Sequence, residues 1–218
     1  MEMNYERIYD YRFQDVNQAA RRRVWKEIAT YLYDHELGKP STVLDPASGR
    51  CEFINAVPAA ERWCVDAVDQ ADGRDVGVQF TRGDALTVNL PLDHFDAVFV
   101  SNFLEHLPDP ATIAVFLGRM LCCLRPEGRI VVVGPNFKYC PDEYFDCADH
   151  ITALTHLSVA EHLHGAGFQV IKVIPRFLPF SFRGLLPPSP QLTKLYLRFP
   201  LIWPLLGKQF MVVGSRPT

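Results

Sequence analysis

The sequence predicts an α/β fold, in which a mostly parallel sheet carries helices on both of its faces. Strand-like and helix-like segments alternate along most of the 218 residues, which is the order of elements in folds of this class. In addition, the segments FDAVFVS (95–101) and RIVVVG (129–134) are apolar almost throughout. Strands have this composition when helices cover both sides of the sheet.

The individual elements follow from apolar spacing and from turn residues. A first helix is predicted over residues 16–36, where apolar side chains recur every four residues: Val16, Ala20, Val24, Ile28 and Leu32. Strands are predicted at 42–45, 63–68, around 78–84, 95–101, 129–134, 168–174 and 210–215. Further helices are predicted from residue 52 to Pro58, at 111–124 and at 158–166.

Polar side chains follow four of the predicted strands, at the edge of the sheet where ligands of such folds bind. They are Asp45, Asp66, Asp84 and Asn102. Asp66 comes 21 residues after Asp45, and in nucleotide-binding folds an acid about 20 residues after the first strand accepts the ribose hydroxyls. The spacing therefore predicts a nucleotide-like ligand at this edge.

The segment VLDPASGRCEFI (43–54) has the outline of a loop that holds such a ligand between a strand and a helix. A dehydrogenase would need a Gly-x-Gly-x-x-Gly turn at this point. Residues 45–53 contain only one glycine, Gly49. A dehydrogenase is therefore strongly disfavoured.

Several motifs together resemble those of the class I S-adenosylmethionine-dependent methyltransferases. They are VDAVDQ, GDAL, FDAVFVSNFLEHL and LRPEGRIVVVGPN, and the resemblance covers about residues 40–175 and the final strand. Where that family has three glycines after the first acid, this sequence has Ala47, Gly49 and Cys51. The resemblance implies a three-layer, doubly wound, seven-stranded sheet with its last strand antiparallel, plus an N-terminal helix and an insertion.

The resemblance also implies the cofactor S-adenosylmethionine, with S-adenosylhomocysteine as the product. The residues it assigns to the cofactor are Asp45, Ala47, Ser48, Gly49, Asp66, Asp84, Ala85 and Asn102. In this assignment Asp66 accepts the ribose hydroxyls, Asp84 accepts the adenine amino group, and Asn102 lies beneath the sulfonium. The alternative is that these residues cap strand ends and form turns.

Two groups of arginines near the N-terminus have different predicted roles. In YDYRF (9–13), Arg12 is predicted to pair with the cofactor carboxylate, and the alternative is a surface arginine beside packed aromatic side chains. The run Arg21-Arg22-Arg23 is predicted to form a solvated helix face.

The segment PNFKYCPDEYFDCADHITALTHLS (135–158) follows the fifth strand, where class I enzymes place their methyl acceptor. His150 is the predicted general base, with Asp149 or Asp146 as its orienting partner. Asn136, Tyr144 and His156 are predicted to contact the substrate. The alternative is that the histidines brace the loop, and no metal site is expected because no paired carboxylates accompany them.

Charge and composition restrict the partners. The net charge is −3, yet seven cations and no acid follow Glu161, so the two parts of the chain are expected to meet different surfaces. The acidic first part argues against nucleic acid as a substrate. Six cysteines without a Cys-x-x-Cys pair and a polar first segment predict a cytoplasmic protein with reduced thiols.

A single domain is predicted over residues 1–218, with a helical cap at 1–38, a core at 39–177 and 208–218, and an insertion at 178–207. The insertion mixes aromatic and aliphatic residues, including Phe199 and Trp203, with cations. This mixture suits a membrane interface or a lipid-linked acceptor. The alternatives are a lid over the active site and a homodimer interface.

The predicted function is methyl transfer to a small-molecule or sugar acceptor, including a lipid-linked one. The main alternative is a non-catalytic relative that keeps the fold for binding or assembly, which the replaced glycines at residues 47 and 51 favour. A nucleic-acid or protein methyltransferase is disfavoured, because no Asn-Pro-Pro-Tyr-type motif follows the fourth strand.

Overall fold

A seven-stranded sheet runs through the part of the chain that the structure, a computed structural model, describes: residues 5–69, 73–180 and 189–218. Its strands are β1 (Thr42–Asp45), β2 (Glu61–Asp66), β3 (Val78–Arg82), β4 (Phe95–Ser101), β5 (Leu124–Pro135), β6 (Gln169–Ile174) and β7 (Gln209–Ser215). The helices are α1 (Tyr5–Phe13), α2 (Gln18–His35), α3 (Glu52–Ala56), α4 (Pro110–Cys123), α5 (Pro141–Tyr144), α6 (His156–Gly165), α7 (Pro190–Arg198) and α8 (Trp203–Leu206). Short 3-10 helices span Leu104–His106 and Pro200–Ile202.

The strand order is β3-β2-β1-β4-β5-β7-β6, and β7 is antiparallel to both of its neighbours while the other paired strands are parallel. The chain crosses from β3 to the far side of β1, so that β1 and β4 become neighbours. Ligands of doubly wound sheets bind outside the carboxyl ends of the strands at such a switch point. The predicted fold class, including the antiparallel last strand, is confirmed.

Alternating side chains of the central strands explain why their sequences are apolar on both faces. Ala97 and Phe99 of β4 pack into the core layer that contains α2 and α3, whereas Val98 and Val100 pack into the layer of α4 and α6. All four side chains are buried. The helices on both faces are therefore held mainly by burial of apolar area.

Local capping explains where several helices begin. Asn17 accepts a hydrogen bond from the backbone N–H of Ala20, so α2 starts at residue 18 rather than at the predicted residue 16. Asp109 caps α4 in the same way, and Thr155 forms a capping box with Ser158 at the start of α6.

Strand β2 lies two residues earlier than the predicted 63–68. Its first residue, Glu61, pairs with Thr42 of β1, and its last residue, Asp66, turns the chain by accepting a hydrogen bond from the N–H of Val68. The predicted turn at 126–128 lies inside β5, where a register shift against β4 accommodates it.

Two segments lie outside the α/β repeat. The N-terminal region contains α1, which was not predicted as a separate helix. The predicted insertion contains α7, a 3-10 helix and α8, while residues 181–188 of it lie outside the described part. The division into cap, core and insertion stays a prediction. Among the described helices, none combines the length and the apolar character that crossing a membrane requires.

Candidate functional site

The loop between β1 and α3 is tied to the neighbouring strand by backbone hydrogen bonds. The N–H of Ser48 donates to the carbonyl of Val65 at 3.0 Å, and the N–H of Gly49 donates to Oδ2 of Asp66 at 2.7 Å. Asp45 lies buried beneath the loop, and burial raises the pKa of its carboxyl well above its usual range. The loop is thus held at the carboxyl ends of β1 and β2.

Two residues of this loop have left-handed backbone conformations. Gly49 has φ of 50° and Cys51, at the position of the missing third glycine, has φ of 60°. A residue with a Cβ atom pays roughly 1–2 kcal/mol in this region, yet Cys51 is buried and its N–H donates to the carbonyl of Ser48 at 2.8 Å. The loop therefore keeps at Cys51 the left-handed backbone conformation that a glycine would adopt more easily.

The space beside Gly49 is open, because a Cβ atom placed there would meet no other atom within 4 Å. Ala47 is half-buried on the same loop, whereas Ser48 is buried. The backbone at Gly49 can accordingly be approached closely by a ligand, as a cofactor loop requires.

Asp66 is half-buried at the end of β2, and both of its carboxylate oxygens accept backbone hydrogen bonds. Burial raises the pKa of its carboxyl, and the hydrogen bonds from Val68 and Gly49 oppose that rise. Each carboxylate oxygen can accept more than one hydrogen bond, so the side chain keeps acceptor capacity for ligand hydroxyls.

Asp84 and Asn102 occupy the ends of the next strands. Asp84 is exposed and caps its own turn, because Oδ1 accepts from the N–H of Leu86 at 2.8 Å, while the adjacent Ala85 is buried. Asn102 follows β4 with φ of 49°, and its side chain bonds Ser101 and Gln209. Asp45, Asp66, Asp84 and Asn102 therefore lie along the edge that the sequence predicted.

Helix α1 covers the loop from the N-terminal side. The guanidinium of Arg50 lies 5.2 Å from the ring centroid of Phe13 and 3.6 Å from the carboxylate of Asp10. The guanidinium of Arg21 lies over the same ring at 4.2 Å. Arg12, predicted to pair with the cofactor carboxylate, instead forms an ion pair with Asp149. Helix α1 therefore also contacts residues 135–158, which we call the acceptor segment because the methyl acceptor is predicted to bind there.

The acceptor segment is braced by three of its polar residues. Asn136 Nδ2 donates to Nδ1 of His156 at 2.9 Å and to the carbonyl of Pro175 at 2.7 Å. The hydroxyl of Tyr144 donates to the carbonyl of Thr152 and accepts from the N–H of Leu154. These contacts hold Asn136, Tyr144 and His156 in buried positions within the acceptor segment. Their predicted contacts with the substrate stay predictions.

Asp149 makes its closest polar contacts with Arg12 and His106, although one of its carboxylate oxygens also lies within 4.8 Å of a ring nitrogen of His150. Besides its ion pair with Arg12, it lies 3.5 Å from Nδ1 of His106, and that nitrogen also bonds the backbone carbonyl of Asp149 at 2.8 Å. Burial by itself would raise the pKa of Asp149, but Arg12 and His106 outweigh it and hold the pKa below its usual value.

His150 also lies next to Glu105, which was not among the predicted site residues. His150 Nε2 is 4.0 Å from Glu105 Oε1, and their side chains are 4% and 2% exposed. One ligand atom from each of Glu105, His106 and His150 lies within 4.8 Å of the others. The available signal was the pair Glu105-His106, which lies between two apolar residues in the short 3-10 helix after β4. Such groups also bind divalent cations, and the expected absence of metal stays a prediction.

This cluster contains unsatisfied polar atoms. Glu105 Oε1 and His150 Nδ1 are buried and have no well-aligned hydrogen-bond partner among the described residues. Burial raises the pKa of the Glu105 carboxyl and, with the nearby His106, lowers the pKa of His150 to about 4. At neutral pH the imidazole of His150 is therefore uncharged.

Comparisons with known proteins agree with this geometry. Residues 41–132 match the family model described as a methyltransferase domain. A methyltransferase from Thermotoga maritima superposes with a TM-score of 0.68 at 12% identity over 97% of this chain and 96% of the other. One from Archaeoglobus fulgidus gives 0.66 at 17% identity over 97% and 100%. Both are described as S-adenosylmethionine-dependent. No curated protein is significantly similar in sequence.

The solved structures are too distant in sequence to show more than the fold, and the match of residues 41–132 to a methyltransferase domain supports methyl transfer in general. Together with the strand order and the loop geometry, they show the fold of the class I S-adenosylmethionine-dependent methyltransferases. S-adenosylmethionine is the cofactor, and the open space beside Gly49 and the carboxylates at the strand ends fit that molecule.

Proposed function

We propose that the chain methylates a small molecule or a sugar that bears a hydroxyl group, including a lipid-linked one, and that His150 receives the hydroxyl proton. The observation that carries this proposal is the buried cluster of His150, Glu105 and His106 at the carboxyl ends of β4 and β5. Its unsatisfied Glu105 Oε1 and His150 Nδ1 are polar atoms that an acceptor's hydroxyl would satisfy.

The cofactor supplies an activated methyl group, so the chain's own residues have to bind the acceptor, orient it and remove its proton. His150 is neutral at pH 7 and its Nδ1 is unsatisfied, so it can accept a proton, although its pKa of about 4 makes it a weak base unless a neighbouring group stabilises the protonated form. Glu105, 4.0 Å from His150 Nε2, would stabilise the imidazolium that forms. The Arg12–Asp149 ion pair and His106 would hold this loop in position.

Aromatic side chains surround the base. The rings of His106, Tyr144 and Phe180 lie 5.0, 5.1 and 6.3 Å from the ring of His150. Apolar walls keep water away and strengthen the hydrogen bonds made inside them. This environment suits an acceptor hydroxyl better than a charged acceptor group, because charge is costly to bury.

The test is transfer of a radiolabelled methyl group from S-adenosylmethionine to water-soluble extracts and to lipid extracts of cell envelopes. We expect labelling by the intact protein and by His164→Ala, a control on the exposed face of α6. His150→Ala should label about 10²–10⁴-fold more slowly, with unchanged cofactor affinity by calorimetry. Glu105→Gln should also reduce the rate of labelling.

Two outcomes would contradict the proposal in different ways. Normal turnover by a folded His150→Ala variant would leave His150 as a brace of the acceptor segment. Cofactor binding without labelling of any fraction would favour the alternative, a binding or assembly protein with the methyltransferase fold.

A further inference from the structure

The insertion exposes more apolar surface than any other described segment of comparable length. Six large apolar side chains within residues 192–206 are more than half exposed: Leu192, Leu195, Phe199, Leu201, Leu205 and Leu206. Leu201 and Leu205 are 91% and 73% exposed. With the cations Lys194 and Arg198 these residues form what we call the α7–α8 surface. Apolar clusters of this kind on a soluble domain mark an interaction site.

The exposed apolar residues are not needed to hold α7 and α8 on the domain. A separate set of side chains, Tyr196, Leu197 and Trp203, packs into the core layer beside α2. The hydroxyl of Tyr196 donates to the carbonyl of Phe177 at 2.6 Å, and Trp203 Nε1 donates to the carbonyl of Tyr196 at 3.0 Å. Trp203, expected from the sequence to lie on the apolar surface, is therefore a core residue.

The α7–α8 surface has the geometry of a helix that lies in a membrane interface. Leu192 and Leu195, spaced i and i+3, form an apolar stripe along α7, and the exposed Phe199 follows directly at the C-terminal end of the helix. Lys194 and Arg198, spaced i and i+4, are exposed beside this stripe. An interfacial helix buries such a stripe at the headgroup boundary and keeps its cations among the headgroups.

The positive charge of the α7–α8 surface favours an anionic membrane as its partner over a second copy of the chain. Neither Lys194 nor Arg198 forms an ion pair within the described ranges, and no acid follows Glu161 in the sequence. In a symmetric dimer each surface meets its own copy, so the cations of the two copies would be brought close together, and α7 and α8 themselves contain no acid that could neutralise them. Anionic headgroups would neutralise them directly.

The α7–α8 surface is connected to the acceptor side of the domain. Arg176 donates to the carbonyls of Leu205 and Gly207 at 3.0 and 2.6 Å, and its guanidinium lies 5.1 Å from the ring of Tyr139 in the acceptor segment. Phe180, at the start of the insertion, packs near His150. A surface bound to the α7–α8 residues would thus lie on the acceptor side of the domain.

From these observations we propose that the α7–α8 surface docks on membranes that contain anionic lipids. Docking needs only the exposed stripe and its cations. The consequence of docking for activity rests on the proposed function: docking would bring the acceptor segment to the membrane, where a lipid-linked acceptor would present its hydroxyl group.

Vesicle co-sedimentation at low salt tests the proposal, with phosphatidylcholine vesicles that either lack or contain phosphatidylglycerol. We expect the intact protein to sediment with the anionic vesicles and much less with the neutral ones. Lys194→Gln with Arg198→Gln should bind anionic vesicles about thirtyfold more weakly, because each basic side chain near such a surface contributes roughly fivefold. Leu201→Ser with Leu205→Ser should weaken binding about tenfold or more.

The matched control is Leu92→Ser, because Leu92 is 67% exposed but lies outside the α7–α8 surface; it should bind like the intact protein. Absence of binding by the intact protein, or unchanged binding by both double variants, would overturn the proposal. So would a dimer in sedimentation velocity that the leucine variant abolishes. Calorimetry with S-adenosylmethionine and the methyl-transfer assay are run separately, so failure of docking is distinguishable from failure of the proposed function.

Discussion

Asp66 shows how one residue at a strand end can shape a site as well as line it. Its carboxylate accepts hydrogen bonds from Gly49 at 2.7 Å and from Val68 at 2.9 Å. The same side chain is the predicted acceptor for the ribose hydroxyls. Removing it should therefore loosen the β1–α3 loop and also take away the predicted ligand contact.

Asp66→Ala should weaken S-adenosylmethionine binding by about 1.5–3 kcal/mol, the scale for losing a hydrogen-bond acceptor that carries charge. Isothermal titration calorimetry measures this directly. Asp69→Ala is the control, because Asp69 lies three residues further on and forms an exposed pair with Arg74. If Asp69→Ala weakened binding and Asp66→Ala did not, the ribose contact would belong to Asp69.

Glu105 was not predicted as a site residue, although the pair Glu105-His106 between two apolar residues was a signal for it. Glu105 lies in a short 3-10 helix of three residues, which has no periodicity to reveal its buried side. His150 is 45 positions further along the chain, and only the packing of the acceptor segment against that helix brings the two side chains together.

At the scale of elements, helix α2 corrects an expectation drawn from its sequence. The run Arg21-Arg22-Arg23 was expected to be solvated, but Arg21 is 9% exposed and pairs with Glu52 at 2.5 Å, while the other two are exposed. Arg21 follows Ala20 and precedes Val24 on the buried side of α2, so helix geometry turns it towards α3. The ion pair joins α2 to the helix that follows the cofactor loop.

Arg21→Ala should lower the free energy of unfolding by about 3–5 kcal/mol, because it leaves the buried carboxylate of Glu52 without its counter-charge. Arg23→Ala, on the exposed side of the same helix turn, should change it by less than about 0.5 kcal/mol. Urea denaturation monitored by circular dichroism gives both values. Equal effects of the two substitutions would mean that the Arg21–Glu52 pair does not stabilise the domain.

Strands β1 and β4 are joined by a carboxylate as well as by their backbone pairing. Asp96 Oδ2 accepts hydrogen bonds from the N–H groups of Ser41 and Thr42 at 2.9 Å, and Oδ1 accepts from Arg125 at 2.7 Å. Burial alone would raise the pKa of Asp96, but these hydrogen bonds outweigh it and lower the pKa below its usual value.

The lowered pKa of Asp96 predicts a pH-dependent contribution to stability. A carboxyl whose pKa is lower in the folded state contributes its full stabilisation above its unfolded pKa, about 3.9, and loses it as the pH falls through the folded value. Asp96→Asn should therefore melt at a lower temperature than the intact protein at pH 7, and the difference should shrink below about pH 4. A difference that stays constant between pH 7 and pH 3 would exclude this linkage.

At the scale of the whole molecule, two peripheral segments converge on the acceptor side of the sheet. Helix α1 reaches it through the Arg12–Asp149 ion pair, and the insertion reaches it through Phe180 and Arg176. All 25 acids lie in residues 1–161, and seven cations follow without an acid. The charge asymmetry read from the sequence is thus carried in part by the α7–α8 surface, next to the acceptor segment.

The sequence by itself determined the fold and the edge of the sheet where the predicted cofactor residues lie. Strand and helix periods, two strands apolar on both faces and acids at successive strand ends all depend on neighbouring residues. The positions of Asp45, Asp66, Asp84 and Asn102 could for this reason be predicted together. The ends of elements shifted by about two residues, because caps such as Asn17 and turns such as Asp66–Val68 decide them.

Only the tertiary structure decided which polar groups meet across the fold. Asp149 pairs with Arg12, 137 positions away, and not with the neighbouring His150. Arg21 lies inside and Trp203 in the core, although the composition of their segments suggested exposed positions. Contacts between distant segments depend on how the helices and loops pack over the sheet. Local spacing in a sequence carries no record of that packing.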